Sequence, residues 1–104
     1  MNKYKLEFSK EAKKDLIDIV TYIKYNLQEP SIAKKLHNKI KDAIYMLCEN
    51  PKSHPLIDDK HLKELTIRKL IIDNYIVFYQ IADIDKKIYI VRIMYEKRNW
   101  MNLL

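Results

Sequence analysis

Between Thr66 and Trp100 the chain reads T-I-R-K-L-I-I-D-N-Y-I-V-F-Y-Q-I-A-D-I-D-K-K-I-Y-I-V-R-I-M-Y-E-K-R-N-W, runs of Ile, Val, Tyr and Phe broken only at Asp73-Asn74 and at Asp83 to Lys86. β-Branched and aromatic side chains in runs of this length suit a pleated, half-buried surface better than a helix. Polar breaks this short join antiparallel neighbours, which predicts a meander of three strands over about 66–72, 75–82 and 87–95, at the centre of a sheet. The chain has no glycine. Asn26, Asn50 and Asn74 are therefore the residues expected to take positive φ where a turn demands it.

The N-terminal half has a different period. Tyr4, Leu6 and Phe8 alternate with Lys5 and Glu7, the pattern of a first strand with one buried face. Ser9 then offers an N-cap, with Glu11 and Asp15 placing negative charge near the positive end of a helix dipole. Ala12, Leu16, Ile19, Val20, Ile23 and Leu27 recur at helical spacing, which predicts a helix to about Asn26. Glu29-Pro30-Ser31 ends one helix and starts another. Ile32, Leu36, Ile40, Ala43, Ile44 and Leu47 form the second stripe, which stops before Asn50-Pro51. Both stripes need an apolar surface, and the sheet is the surface left, so the helical hairpin is expected to cover one sheet face. The resulting fold class is α+β: an N-terminal strand, two α-helices packed on one face of a mainly antiparallel sheet, and a closing three-stranded meander. Residues 49–65 read as a crossing loop, and the tail from Asn99 is apolar enough to pack back on the domain.

A chain of 104 residues, 48% apolar and 33% charged, fits one globular domain over 1–104. No apolar run reaches the roughly 20 residues of a membrane span. The N-terminus lacks the apolar core of a signal peptide, which points to the cytoplasm. Cys48 has no partner for a disulfide, and His37, His54 and His61 are too scattered for a zinc set, so neither a metal nor a small-molecule cofactor is assigned. The net charge of +6 favours anionic or acidic partners. An AT-rich genome would give the same excess of lysine as a merely solvated surface.

Arg68 and Arg92 stand inside otherwise apolar strands. Each must snorkel to solvent, pair with an acid such as Glu64 or Glu96, or face an anionic or partner-derived group. Tyr75 and Tyr79 share a strand face, where core packing with the hydroxyls at the rim competes with a binding role. Lys69 reads as solvated. Tyr95 and Arg98 lie at the end of the last strand, where functional groups concentrate.

The element order, together with R-K-L-I-I-D-N-Y-I-V-F-Y and V-R-I-M-Y-E-K-R-N-W, resembles the RelE/ParE family of bacterial type II toxins over essentially the whole chain. The shared blocks are Phe8-Ser9-Lys10-Glu11-Ala12, Asn74-Tyr75 with Tyr79, and the ending Arg92, Tyr95, Arg98. The resemblance implies a growth-arresting toxin silenced by a cognate antitoxin, with either DNA gyrase or the ribosome with its mRNA as target. A RelE-like endonuclease would need a base, cations for the phosphorane-like charge and an acid, and Arg68, Lys69, Arg92, Tyr95 and Arg98 are the residues available. In such nucleases an arginine follows the strand tyrosine; here the residue is Ile76. The last strand also lacks the histidine of some relatives. These departures and the long helices favour a ParE-like, gyrase-directed toxin with Tyr75, Tyr79, Tyr95, Arg98 and Trp100 as partner-binding residues. The alternatives are the mRNA endonuclease and a non-toxic basic binding module.

Overall fold

The computed structural model describes residues 3–57, 65–98 and 103–104. Strand β1 (Lys5–Phe8) is followed by α1 (Lys10–Thr21), a π-helical turn (Tyr22–Asn26), α2 (Pro30–Leu47) and a 3-10 turn (Pro51–Ser53). The meander comes next as β2 (Arg68–Ile72), β3 (Tyr75–Ala82) and β4 (Lys87–Tyr95). The sheet order is β1-β4-β3-β2, with β1 parallel to β4 and the other pairs antiparallel. A parallel pair needs a long crossover, and the helical hairpin forms the first part of it.

Alternation along the strands sorts the two faces. Leu70, Ile72, Val77, Tyr79, Ile88, Ile90 and Ile93 meet Ala12, Ile23, Ala33, Leu36, Ile40, Ile44 and Leu47 of the hairpin in the main core. Ile40, Ile44 and Leu47 are at most 1% exposed, and burial of such a side chain contributes about 1.5–3 kcal/mol. The opposite face carries a second cluster of Ile57, Ile67, Ile76, Phe78 and Met94, against which Val91 and Leu104 pack. The end of the tail therefore does fold back on the domain, onto the face the helices leave open.

A β-bulge interrupts the alternation. Phe78 pairs with Arg92 and Tyr79 with Ile90, leaving Val91 as the extra residue on β4. The hydroxyl of Ser9 accepts from the Ala12 amide at 2.9 Å, as expected of an N-cap, and also donates to the Val91 carbonyl at 2.6 Å. One side chain thus fixes the start of α1 over the bulge.

Three local expectations differ from the structure. The first helix does end at Asn26, but its last turn is π-helical, with the Leu27 amide bonded to the Tyr22 carbonyl at 3.1 Å. Leu27 and Ile32 belong to the apolar stripes by spacing, yet they are 53% and 51% exposed, because they sit at the hairpin tip beyond the sheet, while Ala33 is buried. Positive φ falls on Gln28, Thr66, Asp73 and Lys86, on none of the three asparagines. Turn geometry chose these positions. In the β3–β4 loop the Lys86 amide bonds the Asp83 carbonyl at 3.3 Å, which puts the left-handed residue last, where lysine stands.

Candidate functional site

The arginines inside the strands are both committed. Arg92 donates from Nε to Asp15 Oδ2 at 2.7 Å and from Nη2 to Asp15 Oδ1 at 2.9 Å, and the Ile93 amide adds a bond to Oδ2 at 3.0 Å. Burial disfavours the charged guanidinium, but the hydrogen bond to Asp15 outweighs it, and the Arg92 pKa is raised above the ordinary arginine value. Its partner is thus an acid on α1 and not the exposed Glu96; Glu64 lies outside the described residues. Asp15 follows Ala12 by three residues and precedes Ile19 by four, so an acid within a buried helical stripe was the signal for it. Arg68 Nη1 donates to the His54 carbonyl at 2.6 Å and ties β2 to the segment before it.

The remaining predicted residues separate into core and surface. Tyr79 is 0% exposed, its hydroxyl donating to the Pro51 carbonyl at 2.7 Å. Burial raises its pKa, opposed by the nearby Arg68 charge. Lys69 is half-buried and opposite Phe78 in register, on the sheet face away from the helices. Trp100 lies outside the described residues.

Tyr75 and Tyr95 come together. Their rings are 5.7 Å apart at 70°, an edge-to-face pair, with Tyr95 41% exposed. The Arg98 amide bonds the Tyr95 carbonyl at 3.0 Å, keeping an exposed guanidinium next in line. Burial raises the pKa of the Tyr75 phenol, and Tyr95 and Tyr22 raise it further. Tyr22, 53% exposed, belongs to the π-helical turn. It lies three residues after Ile19 and so beside the buried stripe, and its phenol also raises the Tyr75 pKa. Tyr75 also lines a cavity of about 530 Å³ between the hairpin tip and the β2–β3 turn, with Ile23, Leu27, Ile32 and Leu36 among others.

A second surface lies between the helices and β1. One cavity of about 250 Å³ is lined by Leu6, Phe8, Leu16, His37, Lys41, Ile44 and Tyr45. Another, of about 260 Å³, is lined by Leu16, Ile17, Val20, Thr21 and His37. Leu16 and His37 belong to both, so the two form one groove with an apolar floor. Among the described residues no acid lines it. Among the described residues there is no cluster of three or more His, Cys, Asp or Glu placed to hold a metal ion, and no helix long and apolar enough to cross a membrane.

The architecture is that of known toxins. The chromosomal ParDE TA system from P. aeruginosa contains a chain that superposes with a TM-score of 0.72 at 18% identity, over 91% of this chain and 98% of that one. The toxin-antitoxin complex RelBE2 from Mycobacterium tuberculosis gives 0.62 at 17% identity, over 89% and 98%. The intact E. coli RelBE toxin-antitoxin complex gives 0.57 at 16%, over 91% and 99%. No curated protein sequence matches significantly. Two helices on a four-stranded mixed sheet, at these levels of similarity, define the class as the RelE/ParE fold. Within that class the model of the "ParE toxin of type II toxin-antitoxin system, parDE" matches residues 6–100. The chain belongs to the ParE toxin family.

Proposed function

We propose that this toxin arrests growth by protein contact with DNA gyrase in the cytoplasm, and that a cognate antitoxin silences it. The observation that carries the target is the apolar cluster on the helix-free face of the sheet. A metal-independent nuclease needs cations fixed where charge develops on the phosphate. Ile76, at the position where the nucleases this chain resembles carry arginine, is 6% exposed within that cluster. Arg92 is held by Asp15, and moving it to a phosphate would leave a buried carboxylate unpaired. Of the predicted site residues, Lys69, Tyr75, Tyr95 and Arg98 stay available, and tyrosine and arginine are the types that dominate protein–protein hot spots.

The antitoxin fits the other surface. An apolar groove with His37 and Lys41 on its walls, and no acid among its described lining residues, complements a partner segment carrying apolar anchors with Asp or Glu beside them. The test is expression without antitoxin, following protein synthesis, mRNA integrity and DNA supercoiling in one culture. Altered supercoiling with an SOS response and intact mRNA is the expected result. Ribosome-dependent mRNA cuts with unchanged supercoiling would establish the endonuclease instead, and unimpaired growth would leave a non-toxic binding module.

A further inference from the structure

His37 stands at the junction of the two cavities that make the α1–α2–β1 groove. It is half-buried, and its ring has no hydrogen-bond partner among the described residues. Lys34 and Lys41 lie one turn before and one turn after it on α2, both exposed, and Tyr45 lines the same cavity with the Lys41 ammonium 5.9 Å from its ring centroid. From α1 the lining is Leu16, Ile17, Val20 and Thr21, with Lys13 and Asp18 on the exposed flank; from β1 it is Leu6 and Phe8, neither titratable. Among the described residues no acid therefore lines the groove to pair with the imidazole.

A segment seated in the groove removes water from His37. An apolar cover would strand the polar ring nitrogens, whereas a carboxylate satisfies them and favours the imidazolium. Beside Lys41, a carboxylate is also the group that the local charge selects.

We propose that His37 makes antitoxin docking proton-linked: the complex takes up a proton at this imidazole, so the antitoxin is held more tightly below neutral pH than above it. The proposal rests on the reading that the antitoxin occupies this groove. The sign follows from linkage. A carboxylate partner raises the imidazole pKa in the complex above that of the unbound groove, so the added affinity is full below the unbound value. It is lost as pH rises through the bound value. Imidazoles titrate near pH 6.5 and the partner's carboxylates near 4, so the change falls between about pH 6 and 8. A rise of about one pKa unit corresponds to about tenfold in affinity.

The experiment is calorimetric titration of the cognate antitoxin into the toxin from pH 5.5 to 8.5, in two buffers of different ionisation enthalpy. The toxin is used unaltered and as His37→Gln, His37→Lys and Ile17→Glu. The expected result is roughly tenfold tighter binding at pH 5.5 than at pH 8.5, with proton uptake on binding. His37→Gln should bind with the weaker affinity at every pH, and His37→Lys with the tighter one. A flat profile for the unaltered toxin, or an unchanged slope in His37→Gln, overturns the proposal while leaving the groove in place. Ile17→Glu separates the two ideas: it puts a charge at an exposed groove residue, and unchanged affinity for this variant would remove the groove reading itself, and the proposal with it.

Discussion

Asp15→Ala tests how the bulged strand is anchored. The carboxylate accepts three hydrogen bonds, two from the Arg92 guanidinium and one from the Ile93 amide. Removing one partner of a buried ion pair costs about 3–5 kcal/mol, and a stranded buried amide adds about 1–3 kcal/mol. These are not additive, and the side chains of Arg92 and Asp15 are 17% and 10% exposed, so some water can reach the orphaned groups. A loss of about 3 kcal/mol is therefore expected, against a total of about 5–15 kcal/mol for a domain. With a urea m-value of about 1–2 kcal/mol per M, the midpoint should fall by roughly 2 M, read by far-UV circular dichroism. Asp15→Leu combined with Arg92→Met removes both charges and is expected to recover most of that loss, because the penalty lies in the unpaired charge. A single-variant cost below about 1 kcal/mol, or a double variant no more stable than Asp15→Ala, would refute the reasoning.

Other variants probe the turn, the core phenol and the target surface. Gln28→Gly should stabilise by about 1 kcal/mol, seen as a raised urea midpoint, since Gln28 holds φ at 54°. The buried phenol of Tyr79 has a raised pKa, so the folded state keeps its proton above the pH where the unfolded chain releases it. Its contribution is full below about pH 10 and lost as pH rises further; Tyr79→Phe should flatten that alkaline decline while costing about 1 kcal/mol at pH 8 through the lost bond to Pro51. Ile76→Arg should destabilise by about 2–4 kcal/mol and yield no mRNA cleavage, because it buries a charge within the apolar cluster. Tyr95→Ala should relieve growth arrest at a cost of about 1 kcal/mol from the lost ring pair with Tyr75, and Arg98→Ala should relieve it with the urea midpoint nearly unchanged, its side chain being exposed. Full toxicity in both variants would exclude this end as the target surface.

The amino-acid sequence by itself determined the elements. Period-two alternation, the two helical stripes, Ser9, Pro30 and the short polar breaks act within a few residues, so they place β1, both helices and the meander, and the family resemblance rests on the same local blocks. Only the tertiary structure decided what each chemically distinctive side chain does. Arg92 found Asp15 across 77 positions of sequence, and the Tyr75 and Tyr95 rings met across the β3–β4 pair. The bulge at Val91, set by the pairing of β4 with β3, broke the alternation that would have assigned faces. Spacing along the chain reports which residues share a face of one element. It does not report which faces meet, and the ion pair, the tyrosine pair and the groove around His37 all exist only where different elements meet.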